Sequence, residues 1–215
     1  EAERNANAAA AAANVPPRAI PMRQSDLVGR RVHLQFSGGD SFQAGLSWMV
    51  QMPKLDQGQL ITLATEPNEH CVFRLVAGLA GEGVSIHSVQ QQECYVCLDV
   101  QTKLLGTMRE SSMTDGSMRA AASFIVTPPL WHPEVDGPVQ PANGVSLESV
   151  ACKGDYVRCS YRASSSSAKF ESPFILGVEP VAQHGGGGGS GMSHAVPVLS
   201  NATFVFHDQY DFGGG

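Results

Sequence analysis

GVSIHSVQQQECYVCL at residues 83–98 and GVSLESVACKGDYVRC at residues 144–159 are one segment written twice, aligned without a gap. Seven of the sixteen positions are identical: Gly83/Gly144, Val84/Val145, Ser85/Ser146, Ser88/Ser149, Val89/Val150, Tyr95/Tyr156 and Val96/Val157. Ile86/Leu147 adds a conservative match. Self-similarity of this kind marks one supersecondary unit used repeatedly. A fainter third copy begins at Arg31-Val32-His33-Leu34-Gln35-Phe36, with Gly38-Gly39-Asp40 as its turn and Phe42 in the aromatic strand that follows. The copies also end alike, at Cys71-Val72-Phe73-Arg74-Leu75, Ala122-Ser123-Phe124-Ile125-Val126 and Ala202-Thr203-Phe204-Val205-Phe206. Side chains alternate faces along a strand, so each Phe and the apolar residue two positions on are expected to share a buried face.

The copies run over about 31–76, 83–126 and 144–206. From Val28 onward the chain reads as short β segments, among them Gln59-Leu60-Ile61-Thr62-Leu63. Turn signals punctuate them at Gly58, Pro67-Asn68, Gly81-Glu82-Gly83, Asp115-Gly116 and Lys153-Gly154-Asp155. One such repeat cannot bury its own apolar face, whereas three can close into a barrel without exposed sheet edges. The expected fold is all-β: a β-trefoil over residues 28–208, an Ala-rich arm over 1–27 that has the composition of a short helix, and a tail over 209–215. Ser164–Ser167 and Gly185–Gly189 read as loop expansions inside the third repeat.

Composition narrows the function. Charged residues are 16% of the chain and the net charge is −6, with no basic block, so phosphate-backbone recognition has no footprint here. No apolar run approaches the roughly 20 residues that a spanning helix needs. The five cysteines, Cys71, Cys94, Cys97, Cys152 and Cys159, are odd in number and widely spaced, which favours reduced, packed thiols over a disulfide framework.

The segment Gly144-Val145-Ser146-Leu147-Glu148-Ser149-Val150, a short turn and Tyr156-Val157-Arg158 resemble the opening signature of AbfB-type domains. These are arabinofuranose-binding β-trefoil modules, carbohydrate-binding family 42. Asn201-Ala202-Thr203-Phe204 and Ala121-Ala122-Ser123-Phe124 resemble the family's closing motif. The resemblance spans about residues 30–207, and is strongest in the third repeat. It implies a trefoil in which each repeat can hold a sugar pocket, built on a His after the Tyr-Val-Arg and an Asp three residues before the Phe. This sequence departs from both. The His position holds Cys159 in repeat three and Leu98 in repeat two; the Asp position holds Asn201, Ala121 and His70. Repeat two is therefore expected to be dead as a sugar site. Repeat three keeps Tyr156, Arg158 and Asn201 as a degenerate pocket.

Other patterns carry less. Cys94 and Cys97 have CxxC spacing but fall on an expected strand, where i and i+3 point to opposite faces. The seven His residues form no HxH or HExxH pair, so no metal is expected, and nothing calls for a cofactor. Carboxylates such as Glu93, Asp99, Glu110, Asp115 and Glu148 lack a recognisable hydrolase arrangement, so no enzyme is expected. The sequon Asn201-Ala202-Thr203 adjoins a core Phe, which favours chance occurrence. Tyr210 and Phe212 in the tail are candidate anchors for a protein partner.

The leading expectation is a non-catalytic module serving as a structural or accessory subunit of a larger assembly, with protein partners reached through its two tails. The alternative is a carbohydrate-binding module for arabinose-bearing glycans, with one site in repeat three. The Ala, Gly and Ser homopolymers fit a GC-rich genome such as a green alga's, and assemblies in cilia or the extracellular matrix both suit them. The compartment stays open between the two.

Overall fold

A computed structural model describes residues 24–36, 48–53, 60–66, 68–130, 144–161, 174–180 and 203–208. The described residues form twelve strands in three sets of four. The first set is β1 (Arg31–Phe36), β2 (Trp48–Gln51), β3 (Thr62–Ala64) and β4 (Val72–Ala77). The second is β5 (Val84–Ser88), β6 (Cys94–Asp99), β7 (Leu104–Arg109) and β8 (Phe124–Thr127). The third is β9 (Gly144–Ser149), β10 (Asp155–Tyr161), β11 (Phe174–Pro180) and β12 (Phe204–Asp208).

All strand pairs are antiparallel, and they close a ring. β1 pairs β4, β4 pairs β5, β5 pairs β8, β8 pairs β9, β9 pairs β12, and β12 returns to β1. The other six strands are three hairpins, β2–β3, β6–β7 and β10–β11, that cap the ring. This is a β-trefoil. Closure removes the free edges that a single four-strand repeat would expose.

The register is three-fold to the residue. Within a repeat, Val32 faces Phe73, Val84 faces Phe124 and Val145 faces Phe204. Across repeats, Phe73 faces Ser88, Phe124 faces Ser149 and Phe204 faces Phe36. The hairpins touch one another in the same cyclic way, at Leu60/Gly106, Leu104/Gly177 and Ile175/Thr62. A Cβ on Gly177 would lie 2.7 Å from the Lys103 carbonyl oxygen, so glycine lets two hairpins approach there.

The buried core repeats this symmetry. Leu34, Ile86 and Leu147 meet Val50, Val96 and Val157, and then Ile61, Leu105 and Leu176. Phe73, Phe124 and Phe204 are fully buried beneath them. Leu75 and Phe206, two positions beyond Phe73 and Phe204, are buried too, as period-two alternation leads one to expect, while Val126, two beyond Phe124, is only half-buried against the core. Leu27, just before β1, is also fully buried.

The identities shared by repeats two and three are structural. The hydroxyl oxygens of Ser88 and Ser149 accept the backbone N–H of Gln91 and Cys152, closing the turn before β6 and before β10. Ser85 and Ser123 hydroxyls lie 3.3 Å apart in the core and accept the N–H groups of Leu79 and Ala80. Gly83 has φ of +74°, and a Cβ there would lie 2.3 Å from the Phe124 carbonyl oxygen.

In the first repeat the next described strand after β1 is Trp48–Gln51, with Trp48 opposite Phe36; Phe42 and the Gly38-Gly39-Asp40 turn lie outside the described residues. Phe36 of this repeat replaces the turn-closing serine and packs on Phe204 with ring centroids 5.8 Å apart. One expectation from the sequence changes: Asp115-Gly116 is not a simple turn but the start of a short helix, α1 (Gly116–Ala121). Asp115 caps it by accepting the Met118 N–H at 2.9 Å.

Candidate functional site

The trefoil register identifies equivalent positions on the three hairpins. Met52, Leu98 and Cys159 share the position to which the AbfB resemblance assigns a His. His70, Ala121 and Asn201 share its Asp position. In repeat one the two positions meet, because the Met52 N–H donates to the His70 carbonyl at 3.0 Å. In repeat two, Leu98 and Ala121 line one cleft between β6, β7 and α1. In repeats one and two the fold therefore brings these positions together, and in repeat two the sequence has made both apolar. Met52, Leu98 and Cys159 are all buried. Burial pushes the Cys159 thiol up to about 12, so it stands as a neutral packing group.

The repeat-two cleft holds about 370 Å³, within the range of small-ligand pockets. Leu98 and Ala121 form part of its lining, with Leu60, Leu104, Met108 and Met118 around them. Cys97 also lines it, its thiol pushed up to about 11 by burial and then by Asp99. Leu98 and Ala121 offer no side-chain hydrogen bond to a sugar hydroxyl.

The equivalent face of repeat three is polar. Tyr156 and Arg158 alternate with core Val157 on β10, so they share its outer face. Tyr156 lies opposite Glu148 on β9 and Glu179 on β11. Its hydroxyl hydrogen-bonds Glu148, and burial followed by that carboxylate raises its pKa. Arg158 is only 3% exposed and sits across from Gly177 in the strand register. Its Nη1 donates to Glu179 Oε2 at 3.4 Å, while Nε and Nη2 are buried without a hydrogen-bond partner. Asn201, Tyr210 and Phe212 lie outside the described residues.

Glu179 is the site residue that sequence reading missed. Nothing local marks it; only the β10–β11 register carries it beside Tyr156 and Arg158. Nearby, Lys103 of the β6–β7 turn reaches across to repeat three, 3.1 Å from both Asp155 Oδ2 and Cys152 Sγ. Cys94 and Cys97 are both buried, and all five cysteines are free thiols. Among the described residues no group of three His, Cys, Asp or Glu side chains converges as a metal site, and no helix is long and apolar enough to cross a membrane.

No protein-family model and no curated protein matches this sequence. Solved structures do share its fold. An arabinofuranosidase complexed with arabinofuranosyl-alpha-1,2-xylobiose matches 84% of the chain at 14% identity, with a TM-score of 0.56. A GH54 α-L-arabinofuranosidase soaked with a cyclic sulfate inhibitor matches the same share at 14% identity and 0.55. A mosquitocidal holotoxin matches 85% of the chain at 6% identity and 0.51. The chain spans 31% of the length of the arabinofuranosidases and 17% of the toxin. At these identities the likeness is one of fold: a β-trefoil of the kind that also occurs within these enzymes.

Proposed function

We propose that this chain is a non-catalytic carbohydrate-binding module for arabinose-bearing glycans, with its working site in repeat three. The observation that carries the reading is the Arg158 guanidinium. It is buried, tethered at one nitrogen to Glu179, and keeps two donor nitrogens, Nε and Nη2, without a partner. Buried donors are rarely left unmade, because each costs about 1–3 kcal/mol. Two fixed donors beside the ring of Tyr156 have the composition of a sugar site: hydrogen bonds for hydroxyls and an aromatic flank. Asn201, at the Asp position, would add a side-chain amide. The fold shared with arabinofuranosidases supports the ligand class.

The test is binding of the folded chain to an arabinofuranoside-bearing glycan array. Saturable binding is expected, with loss in Tyr156→Ala and in Arg158→Met. No binding by a sample with a cooperative melting transition would sink the proposal.

A second reading is a structural or accessory subunit that uses the trefoil as a rigid body, with Tyr210 and Phe212 as docking residues. The five free thiols support it, since extracellular glycan-binding domains commonly carry disulfides. The two readings separate on the array, and on whether removal of residues 209–215 abolishes assembly with a protein partner.

A further inference from the structure

The repeat-two cleft poses a separate question. Its two polar positions are replaced by Leu98 and Ala121, yet the space has not been filled. Ala121 and Gly106, with one methyl group and none, add little side-chain volume to the lining. What remains is apolar surface open to water. Val100 at its rim is 43% exposed and extends that apolar surface. Met108 and Met118 stand in the lining, and methionine adapts to irregular apolar shapes and makes favourable contacts with aromatic rings.

Among the described residues the charge at the mouth has one sign: Asp99 is charged, and no Lys or Arg shares the lining. Its Oδ1 accepts the N–H groups of Gln101 at 2.9 Å and Thr102 at 3.3 Å, which fixes the carboxylate in place. Lys103, the nearest cation along the chain, is turned away to Asp155 and Cys152. Asp99 makes no ion pair among the described residues.

The geometry points to the repeat-two cleft as a binding site for a small amphiphile with an apolar body and a positively charged end, an aromatic or aliphatic amine. The apolar body lies against Leu98, Met108 and Met118, and the ammonium meets Asp99 at the rim. The site is independent of Tyr156 and Arg158, so its success or failure is separable from the glycan reading.

The test titrates the folded chain with dansylcadaverine, a naphthalene probe carrying an ammonium, and with anilinonaphthalene sulfonate, an anionic naphthalene. Saturable, one-to-one, blue-shifted fluorescence is expected for the cationic probe, with binding of the anionic probe about tenfold weaker. Asp99→Asn keeps the turn-capping oxygen and removes the charge, so it should weaken the cationic probe about two- to fivefold and narrow the gap between the two probes. Met118→Trp on α1, or Thr107→Trp on β7 if the first fails to fold, should abolish both signals by filling the cleft. Tyr156→Ala should change neither. Equal affinity for the two probes, no binding of either, or indifference to Asp99→Asn would overturn the proposal. So would a dimer by light scattering that Val100→Arg dissociates, because the occupant would then be a second copy of the chain.

Discussion

Repeats two and three share a backbone and differ at their sites. Gly83/Gly144, Ser85/Ser146, Ser88/Ser149 and Val96/Val157 coincide in sequence, and they build the barrel and its turns. The outer-face positions have diverged. On that face Cys97 stands where Arg158 stands and Met108 where Glu179 stands, while Leu98 and Cys159 match one another on the inward side. One hairpin presents an apolar cleft and the other a buried cation with a carboxylate. The constraint on closing the ring acts on the inward face alone, so the outward face is free to acquire a different chemistry in each copy. What a repeat binds is thus written separately from what makes it fold.

The largest expected effect tests the equivalence itself. Phe124→Ala and Phe204→Ala delete matched, fully buried rings, and each should cost about 3–5 kcal/mol of stability by chemical denaturation. Values differing by more than about 2 kcal/mol would break the equivalence of the two repeats; costs below about 1 kcal/mol would contradict burial. Next comes the divergent position. Cys97→Arg would bury much of a cation in the apolar repeat, with exposed Asp99 as its carboxylate neighbour, and should destabilise by about 1–3 kcal/mol. Arg158→Met should be neutral or stabilising by about 1–2 kcal/mol, since Glu179 is half exposed and loses little. A gain in stability together with lost glycan binding would mark Arg158 as kept for function. A large loss of stability would make it a structural residue.

Smaller effects sharpen the scaffold. Ser88→Ala and Ser149→Ala remove matched turn-closing hydroxyls, and each should lower stability by about 1 kcal/mol. At high pH the buried thiols should matter. Burial holds Cys71 and Cys97 up to about 11 and Cys159 up to about 12, from an ordinary 9.0. Folding thus favours their protonated forms. That contribution is complete below pH 9 and is lost as pH rises through 11 to 12. Melting temperature should hold to about pH 8.5 and then fall, less steeply in Cys159→Val; an unchanged slope in that variant would contradict a thiol in so apolar a place. The smallest effect is on reactivity. Cys152 is half-buried in a turn, while Cys71, Cys94, Cys97 and Cys159 are buried. Mild alkylation of the native chain followed by mass spectrometry should modify Cys152 first.

The doubled segment at 83–98 and 144–159 made the fold legible, because an internal repeat with period-two alternation admits few closed arrangements. The three Phe residues, the alternating strands and the three-fold order were all readable from local pattern. The weak first repeat was not: Phe36 in place of the serine, and β2 at Trp48–Gln51, hide its likeness from a gapless alignment. The site was legible in part. Tyr156 and Arg158 stood out because the repeat drew attention to them, and Leu98 and Ala121 because they break a pattern.

Sequence by itself determined that three copies close one β-barrel, since burying each copy's apolar face leaves little other choice. Tertiary structure alone decided which outer-face residues meet. Glu179 reaches Arg158 through a strand register, Leu98 and Ala121 meet across a hairpin and a helix, and Lys103 crosses to Asp155 from a different repeat. Alternation along a strand is a local property of the chain. Adjacency between strands depends on register and closure, which appear only when all three repeats have packed.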